Sequence, residues 1–290
     1  MPSAREMRTR IRSVGNIAQM TRALQAVSAS KVRRAQQAAL ATRPYAAKAL
    51  EVLNHLSSQA GRDTLHPLLT DRQEIRQVLM VLIAGDRGLA GAFNGNILRV
   101  ASEYARRAPA PVRYIVVGRK GREVLMRRRA DVLAEFSHLP TAFTYADVSP
   151  IGRLAVDEFL AGRADQVVLA TTRFVNLLQQ VPEVRPLLPL KLEGEAAHGP
   201  VRAYSYEPSE SELIARIVPR FTALQVFQAV LESLASEHAA RMVAMRNATD
   251  NANELVDALR LQYNKARQQA ITSDMLDIAG GAEALAQAAG

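Results

Sequence analysis

No cysteine occurs among these 290 residues, which removes disulfides, thiolate nucleophiles and thiol redox switching together. Tryptophan is absent as well, and aromatic residues amount to only 5%. With Ala, Leu and Arg abundant, that bias favours long helices over a β-rich fold. No stretch approaches 18 uninterrupted apolar residues, so nothing reads as a membrane span. The opening "MPSAREMRTR" lacks the apolar core of a secretory signal. Apolar residues still make up 48% of the chain, enough for a substantial core at this length.

Acid is scarce at the start of the chain. Residues 1–48 carry ten Lys and Arg against the single acid Glu6, and the remainder balances at 27 basic and 27 acidic residues. The net charge of +9 therefore resides in the first 48 positions. Charge concentrated in this way implies a polyanionic neighbour: nucleic acid, anionic lipid or an acidic protein surface.

Ser3 to Glu6 has the spacing of a capping box, and no proline follows until Pro44. Met7, Ile11, Val14, Ile17, Met20, Leu24 and Val27 then recur at steps of three and four, which predicts an apolar seam on a helix running to about Leu56. A second capping box, Ser209 to Glu212, opens a stretch with Leu213, Ile217, Phe221, Leu224, Phe227, Leu231 and Leu234 at similar steps. No Pro or Gly interrupts the chain between Arg220 and Ala279, so this segment predicts a coiled coil or shaft rather than an ordinary globular helix.

Between them the texture changes. "QVLMVLI" (77–83), "RYIVV" (113–117) and "QVVLA" (166–170) are short β-rich runs, separated by helical stretches near 95–107, 119–129 and 147–161. That alternation predicts a small α/β domain with a mostly parallel sheet. The proline-rich stretch 181–200 reads as an irregular exit. The expected domains are an N-terminal coiled-coil helix (1–57), a central α/β domain (72–206) and a C-terminal coiled-coil helix (208–285). The fold class is α/β plus a long antiparallel coiled coil. Pairing residue 57 with 208 makes opposed positions sum to about 265, which sets Leu24 near Arg241 and leaves the last ~25 residues as an unpaired helix.

Catalytic chemistry is hard to place. "GDRGLAGAFNGNI" (85–97) sits where phosphate loops occur, yet it has neither a Walker A spacing nor a complete G-x-G-x-x-G; a structural turn with Asp86 and Arg87 paired or capping is the better reading. "GRKGRE" (118–123) is a second strand-to-helix turn, read as solvated, with a phosphate site the lesser alternative. The histidines His55, His66, His138, His198 and His238 show no metal-ligand spacing. Ser236, Glu237 and His238 are adjacent on one helix and point apart, so they are no triad. Asp147, Asp157 and Glu158 read as solvated acids. No cofactor, metal or catalytic residue is expected. The basic helix leaves three readings: a nucleic-acid scaffold, a solvated face without a partner, and a collar inside an acidic protein ring. An ATPase head with a coiled-coil arm would need a Walker A motif and is rejected. No aromatic precedes Tyr45, which weakens the nucleic-acid reading.

Several long blocks carry a resemblance: "MRTRIRSVGNIAQMTRALQAVSASKVRRAQ", "GDRGLAGAFNGNI", "RPLLPL" and "LASEHAARMVAMRNATDNANELVDALRLQYNKARQQAITSDMLDIAGGAEAL". In this order they resemble the gamma subunits of F-type ATP synthases over nearly the whole chain. The resemblance implies a non-catalytic central-stalk rotor whose terminal helices pair antiparallel. Its partners would be alpha and beta subunits in a 3:3:1 complex, an epsilon subunit and a c-subunit ring. It implies no nucleic acid, membrane contact only through the complex, and a peripheral place on the cytoplasmic face of a bacterial cell membrane. It also implies that Leu24 and Arg241 lie near an acidic segment of the catalytic subunit and that Arg267, Gln268 and Thr272 meet the stator. Arg22, Lys31, Arg33 and Arg34 on the basic helix join them as expected rotor–stator contacts. Where the family usually reads K-I-T-K-A-M this chain reads "QMTRAL", with Arg22 for Lys and Leu24 for Met.

Overall fold

A computed structural model of the chain describes residues 4–59, 67–140, 143–190 and 210–288. Ser3 and Ser209, the two expected caps, lie outside the described residues, as do His66, His198 and the 191–200 part of the expected exit. The chain divides into two compact units, residues 1–27 with 242–290, and residues 28–241.

The larger unit is built on a five-stranded sheet in the order β3-β2-β1-β4-β5. Its strands are β1 (Val78–Ile83), β2 (Val112–Val117), β3 (Val132–Phe136), β4 (Gln166–Phe174) and β5 (Gln180–Leu188). The first four pair in parallel, and β5 runs antiparallel to β4. All six residues of β1 are buried, because a central parallel strand is covered on both faces and so reads as an unbroken apolar run. Alternation divides its side chains. Leu79, Val81 and Ile83 enter a core with Ile151, Phe159, Phe227 and Leu231, while Val78, Met80 and Leu82 enter one with Ile97, Ala101 and Leu125. The first core thus draws on α4 (Tyr145–Leu160) and α5 (Glu210–Ala288), the second on α2 (Phe93–Arg107) and α3 (Arg119–Arg127).

Two strands depart from expectation. Residues 180–188 form β5 rather than an irregular exit. Pro182 and Pro186 are tolerated because β5 is an edge strand, where a missing N–H can face away from the ladder. The other edge strand, β3, gave no sequence signal because all five residues stay partly exposed and Glu135 interrupts the apolar run. Glu158 is not solvated either. It is 5% exposed, and Arg163 clamps it through bonds of 2.7–3.1 Å. That hydrogen-bonded guanidinium holds the Glu158 carboxyl below the usual range. Asp147, by contrast, completes a capping box with Thr144 at the start of α4. Leu231, expected in the coil seam, is instead 3% exposed within the sheet's own core.

In the smaller unit, residues 4–27 of α1 (Ala4–Gln59) pair with the second half of α5. The buried line on α1 differs from the expected one. Met7, Ala18 and Thr21 are buried and Ile11 and Val14 half-buried, whereas Ile17, Met20 and Val27 are exposed. The expected series takes three consecutive steps of three after Ile11, and each such step falls ~60° short of a full turn, so the series slides off the face. Alternating steps of four and three stay on it, and they pass through Ala18 and Thr21. On α5 the matching line is Met245, Thr249, Ala252 and Leu259, all buried.

Thr21 and Thr249 face each other with hydroxyls 2.6 Å apart. One donates to the other, which turns its own proton to a carbonyl one turn back, Ile17 or Met245. Both buried hydroxyls are thereby satisfied. This pair sets the register sum at 270 rather than 265 and brings Leu24 level with Arg246 instead of Arg241. Beyond Ala266 every described side chain through Ala282 is exposed, and the helix continues through Gly280 and Gly281.

Candidate functional site

Open parallel sheets bind ligands at the carboxyl ends of their strands, where the order reverses. Here that point is the loop after β1, residues 84–92, between β1's neighbours β2 and β4. It is already filled. The Asp86 carboxylate accepts the backbone N–H of Arg119 at 2.9 Å and of His138 at 3.0 Å. Lys120 N–H donates to the Gly85 carbonyl at 3.0 Å. The first amides of α3, which a phosphate would need, therefore have protein acceptors. Gly118 has φ +93°, and a Cβ there would lie 2.1 Å from the Ala84 carbonyl oxygen. Both glycine-rich turns are structural, and Asp86 caps rather than pairing with Arg87.

Helix α5 closes the rest of this corner. A Cβ on Gly85 would lie 2.9 Å from the Glu237 carboxyl carbon, so only glycine lets that side chain rest on the loop. Arg241 pairs with Glu237 and donates to the Gly88 carbonyl at 3.2 and 3.3 Å. The two side chains are only 12% and 11% exposed. Arg241 also meets His238 Nδ1 at 3.1 Å. Burial, then Arg241 and then Lys31, push the His238 pKa down to about 4, so the imidazole is neutral near pH 7. Ser236 donates to the Thr172 carbonyl at 3.2 Å rather than to His238. Among the described residues no cluster of His, Asp or Glu could hold a metal, and no helix is long and apolar enough to cross a membrane.

The expected contact residues therefore fall into separate settings. Arg22 lies in the smaller unit, exposed, and Leu24 there is half-buried. In the larger unit Arg33 and Arg34 are exposed, and Lys31 is half-buried within reach of His238. Among the described residues, Arg22, Arg33 and Arg34 have no acidic partner. Arg267, Gln268 and Thr272 lie on the fully exposed stretch of α5, with Thr272 hydroxyl bonded to the Gln268 carbonyl at 3.0 Å. Arg241 stands apart, since its guanidinium is spent on Glu237 and Gly88. Sequence reasoning weighed Glu237 only as a triad neighbour and missed its pairing with Arg241; the one signal for that pairing is the helical i, i+4 spacing.

Arg22 in the smaller unit, and Arg33 and Arg34 in the larger, thus present exposed guanidinium groups with no acidic partner among the described residues. A family model described as ATP synthase matches residues 3–285. An ATP synthase gamma chain of Roseiflexus castenholzii is 46% identical over 290 residues, covering 99% of this chain and all of that one. One from Dehalococcoides mccartyi is 44% identical over 288 residues, with the same coverage. Among solved structures, a chain of the Euglena gracilis mitochondrial ATP synthase in rotational state 3 shares the fold with a TM-score of 0.68. It is 19% identical and covers 97% of this chain and 94% of its own. A chain of the Tetrahymena thermophila central stalk and c-ring does so with a TM-score of 0.62 at 24% identity, over 79% of this chain and 99% of its own. With close relatives matched from end to end and a fold to suit, this chain belongs to the ATP synthase gamma chain family.

Proposed function

We propose that this chain, the non-catalytic central-stalk subunit of an ATP synthase, engages an acidic ring of three alpha and three beta subunits through the unpaired arginines of α1. The observation that carries the reading is the placement of charge. Arg22, Arg33 and Arg34 are exposed on one helix without acidic partners among the described residues, in a segment that holds the entire +9. Arginine–carboxylate contacts across a partly solvated boundary are each worth only about 0–1 kcal/mol. Such contacts break and re-form cheaply, as a rotor requires. Turning would shift each catalytic subunit between nucleotide affinities through differential contacts, with no nucleotide bound to this chain.

The same reading assigns Leu24, Lys31, Arg267, Gln268 and Thr272 to the rotor–stator boundary. Arg241 joins it at most through its exposed edge, because its charge is already paired. An epsilon subunit and a c-subunit ring complete the partner set, and the complex holds the chain at the cytoplasmic face of a bacterial membrane. Native mass spectrometry of the chain with its cognate alpha and beta subunits at moderate salt tests this. One copy per three alpha and three beta, with ATPase activity on assembly, is the expected result. Absence of a complex together with salt-sensitive DNA binding would favour the nucleic-acid reading.

A further inference from the structure

A second concentration of basic groups lies in the larger unit, away from the filled strand-end corner. A cavity of about 730 Å³ opens between α1, α4 and α5, and Tyr45, Tyr145, Arg153, Arg216, Arg220 and Phe227 are among its lining residues. The volume is within the range of small-ligand sites. Its floor is apolar and closely packed. Phe227 takes the edges of Phe143 and Tyr145, each with ring centroids 5.9 Å away. Beside it α4 and α5 touch so closely that a Cβ on Gly152 would fall 2.5 Å from the Ala223 Cα. The wall is cationic. Arg153, Arg216 and Arg220 are all exposed, and no ion pair engages any of the three among the described residues. Burial raises the Tyr145 phenol pKa, Arg153 and Arg220 lower it and Tyr45 raises it, so these groups share one electrostatic neighbourhood.

Three like charges around an apolar hollow repel one another until an anion enters. A guanidinium fork matches phosphate or carboxylate oxygens in pairs, while the Phe227 floor and the Tyr45 ring, 65% exposed, offer contact only to a hydrocarbon or ring. Inorganic anions would satisfy the wall and leave the floor wet; neutral hydrocarbon would do the reverse. We propose that this cavity binds an acidic amphiphile, a phosphate or carboxylate head on an apolar body, with Arg153, Arg216 and Arg220 on the head and Phe227 and Tyr45 along the body. Such a head group can come from a membrane phospholipid or from a soluble phosphate ester.

Isothermal titration of the full chain alone, with dodecyl phosphate below its micelle concentration, tests the site separately from assembly with other subunits. One molecule should bind per chain, at least tenfold tighter than inorganic phosphate or dodecanol. The double variant Arg153→Gln/Arg220→Gln should lose at least tenfold in affinity while its melting curve stays put. Tyr45→Ala, on an exposed side chain, provides a second variant with a smaller loss. Flotation with phosphatidylglycerol vesicles then separates the sources. Flotation that the double variant abolishes marks a membrane lipid, and binding of the monomer without flotation marks a soluble ester. Equal affinity for inorganic and dodecyl phosphate, unchanged binding in both variants, or binding of polyglutamate with none of dodecyl phosphate would each overturn the proposal.

Discussion

Arg241 and Glu237 show what a single buried pair does at a corner where other α/β proteins hold ligand. With side chains 12% and 11% exposed, each charge depends on the other. Truncating one partner of a buried pair costs about 3–5 kcal/mol, because the remaining charge is left uncompensated. Arg241→Leu should therefore lower the urea midpoint of the isolated chain by an amount worth about 3 kcal/mol, with Glu237→Gln milder since it can still accept from Arg241. An unchanged midpoint in Arg241→Leu would mean that the guanidinium is free for another partner. His238 adds a pH dependence of known sign. The unfolded chain takes up the imidazole proton near pH 6.5, whereas the folded one resists it down to about 4. Its contribution is thus complete above about pH 6.5 and is lost as the pH falls toward 4. Lys31 from α1 and Arg241 from its own helix oppose the proton, while Glu237 is held by Arg241. Between pH 6.5 and 5, above the range where ordinary carboxylates protonate, the loss should reach about 2 kcal/mol. His238→Gln should flatten that part of the stability profile; an equally steep variant would assign the slope to other groups.

At the scale of elements, the middle of the paired stretch of α1 and α5 is held by small and polar side chains, Ala18, Thr21, Thr249 and Ala252, with Met7, Met245 and Leu259 as the larger apolar members of the same line. Ala18 is 7% exposed and Met20, two residues on, is 62% exposed. Ala18→Asp buries a charge against α5 and should destabilise the pairing by several kcal/mol, whereas Met20→Asp should stay within about 0.5 kcal/mol of the parent. Thermal melts followed by helical circular dichroism distinguish the two, and a loss confined to Met20→Asp would restore the seam expected from hydrophobicity alone. That contrast shows where the sequence is legible. Helix α1, helix α5 and strands β1, β2 and β4 announce themselves because they are long or fully buried, so their apolar period is strong. Strands β3 and β5 are silent because edge strands keep charges and prolines that central strands cannot. The line through Ala18 and Thr21 is hidden for a different reason. Small residues allow close helix approach without hydrophobicity, and a search for Leu, Ile and Met at steps of three and four passes over them. The capping role of Asp86 is half visible in its place after β1, but the backbone N–H donors it accepts, those of Arg119 and His138, come from 33 and 52 residues away, a distance at which spacing says nothing. Tyr45 and Tyr145, which meet at the cavity of the larger unit, are hidden likewise.

For the molecule as a whole, the question is whether the surplus charge serves folding or assembly, and the arrangement of acids separates the two. The ion pairs that stabilise the described fold lie largely outside the basic segment: Arg72 with Asp165, Arg163 with Glu158, Arg122 with Glu135 and Arg241 with Glu237. Arg33 and Arg34 have no counterpart of that kind. Removing an exposed, unpaired charge changes stability by less than about 0.5 kcal/mol, and reversing it relieves some of the repulsion within a segment that carries the whole net charge. Arg33→Glu/Arg34→Glu should therefore melt at or slightly above the parent temperature. Against an acidic ring the same variant exchanges attraction for repulsion at two sites. Association should weaken several-fold at low salt, and the difference should shrink as salt screens both cases. Melting curves of the isolated chain, set beside rotation-coupled ATPase of the assembled complex across ionic strength, measure the two effects independently. Parallel loss of stability and coupling would place these arginines inside the fold's own network. Coupling lost alone, and recovered in part by salt, would place them at the boundary with the ring.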